Sequence, residues 1–220
     1  MCGRFSQFYT WQELQELYDL SVPAIPNLEP RYNISPTDPV DVVLAGEDGH
    51  HRFEKMRWWL VPWWWTKTLK DVPPAFNARA ETAAAKPMFR DAFQRHRCLI
   101  PASGFYEWTG PKEARQPWFF SARDGKPLTF AGLYDRWKDP ASGETVRSCT
   151  ILITEANHFM RPIHNRMPVI LPREEWNAWL ADPRSDLLKP AHEGVLVAWK
   201  VSPRMNSNRY LEADAPVSIE

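Results

Sequence analysis

The sequence predicts an α+β fold, a mostly antiparallel or mixed β-sheet closing toward a barrel, with short helices at its periphery. Three observations carry this. Strand-like apolar runs outnumber helix-period runs. Most joins between them are of hairpin length rather than helical crossovers. No internal repeat, low-complexity tract or compositional break divides the 220 residues, so one domain over 1–220 is expected.

The elements follow in order. Residues 10–19 read as a helix, because Thr10 is an N-cap with Glu13 as its capping-box partner and Trp11, Leu14, Leu17 and Tyr18 share a face. Pro23, Pro26 and Pro30 end it. Arg31–Pro36 reads as a loop. Strands over 40–44 and 52–60 form a hairpin about the turn residues Gly46-Glu47-Asp48-Gly49. Trp63-Trp64-Trp65 cannot all face one core, so at least one indole should be exposed. Residues 66–74 read as a flexible loop and 88–95 as a short helix burying Met88, Phe89, Ala92 and Phe93. Strands are expected over 97–101 and 105–109, then a hairpin of 117–122 with 128–133 around Asp124-Gly125. The strand 146–154 is the most apolar. A polar loop through His164 leads to a strand over 167–171, a helix opened by Pro172 ends near Leu180, and 196–201 is a last strand before an irregular tail.

Composition excludes several classes. There is no apolar run of membrane-spanning length and no basic-then-apolar leader, so a cytoplasmic protein is expected. Three cysteines without a CxxC pair suggest neither a disulfide framework nor a zinc site, and no metal or other cofactor is expected. Lys plus Arg and Asp plus Glu both number 27, which argues against a protein that blankets duplex DNA. Twelve tryptophans, and 18 arginines among the 27 basic residues, still suit stacking and bidentate phosphate contacts.

The chemistry centres on Met1-Cys2-Gly3-Arg4. Removal of Met1 would leave Cys2 with a free α-amine and a thiol, a 1,2-aminothiol that closes on an aldehyde to a thiazolidine. At neutral pH about a tenth of such an amine is unprotonated and a few per cent of an ordinary thiol is thiolate. Glu107 lies between Tyr106 and Trp108 on a strand, where desolvation raises a carboxyl pKa and suits it to acid–base work. His164, in a loop, can give or take a proton. Asn77 can orient a substrate and Arg79 can clamp a phosphate. His50-His51 reads as a solvated pair, and Cys98 and Cys149 as core. Two other readings stay open on these residues: an N-terminal-nucleophile amidohydrolase led by the Cys2 thiol, and a noncatalytic single-stranded nucleic-acid module.

Taken together, Met1-Cys2-Gly3-Arg4-Phe5, Arg31-Tyr32-Asn33 with Ser35-Pro36, Asn77-Ala78-Arg79-Ala80-Glu81-Thr82, Gly104-Phe105-Tyr106-Glu107-Trp108 and His164-Asn165-Arg166-Met167-Pro168-Val169 resemble the SOS response-associated peptidase (SRAP) family, also called the abasic-site processing or HMCES/YedK-like family. The motifs occur in family order from residue 2 to about 170. The resemblance implies a monomer that binds abasic sites in single-stranded DNA and crosslinks Cys2 to the ring-opened sugar as a thiazolidine. Lyase and autopeptidase activities travel with it. By the same resemblance Cys2 is the nucleophile, Glu107 and His164 act on protons and sugar, and Asn77 holds Cys2. Arg4, Arg79 and Arg166 meet the DNA backbone or line the site, and Trp64 and Trp65 stack on bases. Asn165 stands where Asp is often expected.

Overall fold

The computed structural model describes residues 2–20, 28–46 and 49–220. Pro23, Pro26, Glu47 and Asp48 lie outside the described residues. Twelve strands and four α-helices are present among the described residues, in two sheets. The strands are β1 (Arg4–Gln7), β2 (Arg31–Ile34), β3 (Pro39–Ala45), β4 (His51–Trp58), β5 (Asn77–Arg79), β6 (Arg97–Ala102), β7 (Gly104–Thr109), β8 (Gln116–Ala122), β9 (Leu128–Lys138), β10 (Thr145–Glu155), β11 (Arg166–Pro168) and β12 (Leu196–Lys200). The helices are α1 (Trp11–Tyr18), α2 (Ala80–Ala83), α3 (Pro87–Arg95) and α4 (Trp176–Ala181).

One sheet runs β12-β8-β7-β1-β2. In the other, β4, β3, β6, β9 and β10 pair in turn, and β10 pairs back to β4, so five strands close into a barrel. The closing pair β10–β4 is parallel, as is β10–β5, which makes the sheet mixed. Alternation explains the packing. Val40, Val42, Leu44, Met56, Trp58, Cys98, Ile100, Phe130, Cys149 and Ile151 share one core that continues under the five-stranded sheet through Phe5, Phe105 and Phe120. The opposite phase, Val43, Leu99, Ala131, Leu133 and Leu152, is covered by Leu14 and Tyr18 of α1, Phe93 of α3 and Trp176 and Trp179 of α4. With both faces buried, β3, β6 and the inner stretches of β9 and β10 read as nearly continuous apolar runs, whereas β4 is largely polar. Among the described residues no helix is long and apolar enough to cross a membrane.

Helix α1 has the expected capping box: Thr10 accepts from the Glu13 amide while Glu13 accepts from Thr10. Three expectations are corrected. Residues 31–34 form a strand, not a loop, because β2 finds its partner in β1 far away in sequence. The strands 116–122 and 128–138 are not a hairpin: β8 pairs with β7 and β12 while β9 pairs with β6 and β10, so the Asp124-Gly125 turn carries the chain between sheets. The strand expected over 167–171 is only Arg166–Pro168, followed by a bridge at Ile170. The segment 66–74 also contains a 3-10 turn, Leu69–Asp71, capped by Thr68.

Gly104, which opens β7, has no room for a side chain. A Cβ there would sit 2.2 Å from the Phe119 ring and 2.4 Å from the Phe120 carbonyl oxygen, and the latter is backbone that cannot swing away. Gly104→Ala is expected to destabilise the fold by about 2–4 kcal/mol. Urea denaturation checks this; an unchanged midpoint would contradict the packing described.

Candidate active site

The chain's first strand is threaded into the middle of a sheet, between β2 and β7. Pairing of Arg4 with Tyr106 and Phe5 with Phe105 fixes its register, and one further step brings Gly3 level with Glu107. Cys2 is thereby carried into the barrel-side core, where it is fully buried in the unprocessed chain. Its thiol lies 3.9 Å from the Arg4 carbonyl, a weak interaction. Its own carbonyl accepts a hydrogen bond from Asn77 Nδ2 at 2.8 Å. Asn77 is placed by β5, which runs parallel to β10 with Asn77 opposite Ile151. Asn77 Oδ1 is buried and has no hydrogen-bond partner among the described residues, so it is a ready acceptor beside Cys2.

Glu107 is 3 % exposed, and its carboxylate reaches within 4.0 Å of His164 Nδ1. His164 stands in the loop between β10 and β11, its amide bonded to the Met160 carbonyl at 3.1 Å. Nδ1 lies 3.0 Å from the Arg166 amide, from which it can accept, and 3.1 Å from the Arg166 carbonyl, to which it can donate, so the ring is held by Arg166 through this one nitrogen. Glu107 and His164 line a cavity of about 380 Å³ together with Gly3, Arg4, Trp108, Gly110 and Arg115.

Burial dominates the electrostatics. It pushes the Cys2 thiol well above the ordinary range, and the neighbouring Glu107 adds to the rise. Burial also raises the Glu107 carboxyl, with the N-terminal ammonium and then His164 pulling it partly back, which is the direction its aromatic neighbours suggest.

The raised Glu107 pKa has a consequence for stability. Above its folded-state pKa the carboxylate is ionised against a desolvation cost, so stability falls as pH rises through that value; below the ordinary Glu range, about 4.3, both states are neutral and the cost vanishes. Glu107→Gln should therefore be more stable than the parent at pH 8, by on the order of 1 kcal/mol. The difference should disappear near pH 4. Thermal melts across pH test this; a variant less stable at pH 8 would contradict it.

The other expected site residues are placed unequally. The Arg4 guanidinium donates to the carbonyls of Met205 and Ser207, the latter at 3.1 Å, and stacks 4.4 Å over Trp108. Arg166 forms a two-pronged pair with Glu81 at 2.7 and 2.9 Å and also donates to the Ile153 carbonyl. Arg79 is exposed at the end of β5. The cavity's tryptophan is Trp108, not Trp64 or Trp65. Trp64 and Trp65 lie ring to ring 6.1 Å apart, and Trp65 packs toward Val61, Val72 and Trp137. The indole left most open is Trp63, at 60 % exposure, with its N–H on Asp91. Trp108 and Arg115 were missed from sequence as site residues. Trp108 follows Glu107 directly and could have been found, whereas Arg115 sits in an irregular stretch with no local signal. Asn206 in the tail joins the two, accepting from Trp108 Nε1 and donating to the Arg115 carbonyl. His50 and His51 pair with Asp19 and the Tyr18 carbonyl. Cys98 and Cys149 are buried and free.

Residues 1–208 match the profile of a family described as SOS response associated peptidase (SRAP). The abasic site processing protein YoqW of Bacillus subtilis (strain 168) is 36% identical over 217 residues, covering 94% of this chain and 95% of that protein. The abasic site processing protein YedK of Escherichia coli (strain K12) is 31% identical over 188 residues, covering 82% and 79%. A crystal structure of a Bacteroides thetaiotaomicron protein superposes with a TM-score of 0.87 over the whole of both chains at 23% identity, a likeness of fold alone.

Proposed function

The chain belongs to the SOS response associated peptidase (SRAP) family, and from its site we propose that it processes abasic sites in single-stranded DNA by covalent capture through Cys2. The observation that carries this reading is the convergence, on a chain-terminal Cys, of Glu107 and His164 from β7 and the β10–β11 loop. Relatives of this chain carry the name abasic site processing protein.

In the proposed sequence Met1 is removed and Cys2 gains a free amine. An abasic sugar is mostly a closed hemiacetal, and His164 donates a proton to the ring oxygen to favour the open aldehyde. The Cys2 amine adds to the aldehyde carbon, Glu107 relays protons, and loss of one water leaves the imine. The thiol then adds across the C=N bond: sulfur bonds to carbon, its proton ends on nitrogen, and the five-membered thiazolidine closes. The amine attacks first, giving the imine, and sulfur follows. Holding amine, thiol and aldehyde together contributes about 7–11 kcal/mol by making the steps intramolecular. Elimination from the imine would instead cut the strand, and ring closure competes with this lyase route.

Trp108 and Arg115 at the cavity rim suit a base face and a phosphate. Preference for single strands follows, since a duplex hides the base faces. A denaturing gel of the processed protein with labelled abasic and intact strands tests the reading. Heat-stable retardation of the abasic strand alone is expected. Equal retention of both strands, or of neither, would overturn it.

A further inference from the structure

We propose that the barrel end remote from Cys2 is a second phosphate-binding site that takes the sugar–phosphate backbone of nucleic acid. The proposal extends the reading above without resting on its chemistry.

The remote end is a basic mouth. A cavity of about 790 Å³, twice the size of the catalytic one, is lined by Lys55, Arg136, Lys138, Thr145 and Arg147. Register brings these residues together across three adjacent strands. Arg147 faces Arg136 and Thr145 faces Lys138 across β9–β10, while the parallel β10–β4 pair sets Lys55 alongside. The mouth lies away from the reaction centre. Along β10 from Arg147, Ile151, which stands opposite the Cys2-holding Asn77, is four residues away, about 13 Å, and Glu155, which pairs with Arg166 beside His164, is eight, about 26 Å, at roughly 3.3 Å per residue.

Beneath the mouth lies one acid. Glu54, with an 11 % exposed side chain, is approached by Arg147 at 2.9 Å, Arg52 at 3.7 Å and Arg136 at 3.8 Å, and these three side chains are about half exposed. One buried carboxylate thus orients three guanidiniums. Each carries about five N–H donors, against about four acceptor positions on the carboxylate, so most donors remain for a second oxyanion. Lys55 pairs with Asp41, and Lys138 forms no ion pair among the described residues. The acids that flank the lining residues in sequence, Asp139 and Glu144, belong to the β9–β10 turn, where Asp139 accepts from the Ala141 amide and the Ser142 hydroxyl.

The spread of the cations favours a polymer over a free phosphate. Three strands at about 4.8 Å spacing set them over roughly 10 Å, suited to successive phosphates of a strand. In a chain whose charges balance overall at 27 and 27, this local clustering of cations is a directed feature.

The test is fluorescence anisotropy of an intact labelled strand against the full chain and its Lys138→Glu variant over a salt series, with folding checked by thermal melting. Lys138→Glu should bind several-fold more weakly, with the salt slope reduced by about 0.7 for each phosphate the variant no longer neutralises. Its endpoint crosslinking to a saturating short abasic strand should be unchanged. An unchanged affinity and slope in the folded variant would overturn the proposal. So would displacement of the strand by millimolar inorganic phosphate at constant ionic strength, which would make the mouth a small-anion site. A protein that crosslinks nothing but still shows the Lys138-dependent slope would overturn the function proposed above and leave this site standing.

Discussion

Cys2→Ala is expected to reduce the heat-stable crosslink with an abasic strand to background. Alanine at the second position is small enough for Met1 removal, so the variant keeps a terminal amine and can still form the imine. What it lacks is the sulfur that adds across the C=N bond. An imine without that second bond reverts in water, so any product should appear only after borohydride trapping. Cys2→Ser should behave almost as badly, because the oxazolidine it could close is far less stable. The substitution empties a fully buried site, so a melting curve must accompany the assay. A folded alanine variant that still gave a heat-stable adduct without reductant would remove the thiazolidine from the mechanism.

The second large effect is at Glu107. Replacing a positioned acid–base group removes roughly 10²–10⁴-fold in rate, and Glu107→Gln should slow crosslinking within that span. The pH profile separates this from structural damage. Burial raises the Glu107 carboxyl, so the parent needs a pH above that raised value to hold the carboxylate that accepts a proton. Its crosslinking rate should therefore rise with pH through a window displaced upward from the ordinary Glu range. Glu107→Gln should lack that limb. The same variant is the one expected to be more stable at pH 8, so a slower and more stable protein is the signature of a desolvated catalytic carboxylate. A variant as fast as the parent at every pH would exclude Glu107 from proton transfer.

How far the sequence could be read depended on where each residue's partners lie. The capping box of α1 and the apolar phases of β3, β4, β6 and β10 are local patterns, and they appear in the structure as expected. β2 and β5 are short strands that exist because β1 and β10 lie beside them, and nothing within three or four residues announces that. The same limit explains the missing hairpin. A turn such as Asp124-Gly125 shows that the chain reverses but not that the two arms pair, and here it separates two sheets.

The candidate site divides the same way. Cys2, Glu107, His164 and Asn77 were legible because each has unusual chemistry or sits in a family motif, and the fold brings the four together. The surroundings were not. The depth of Cys2, which raises its thiol pKa, arises from a strand at the start of the chain inserted between two others. Arg4 and Arg166, expected at the DNA backbone, are engaged with the tail carbonyls and with Glu81. The tail itself read as irregular, yet through Asn206 it fastens two cavity residues.

The most direct test of the central claim is the intact mass of the purified protein before and after mixing with a short single strand carrying one abasic site. The expected result is a chain lacking Met1 and a one-to-one adduct weighing protein plus strand less one water, with the modification mapping to Cys2. Water is lost once, at the imine, because ring closure by sulfur releases nothing. A chain that keeps Met1 and forms no adduct, or an adduct that maps to a lysine, would contradict the account.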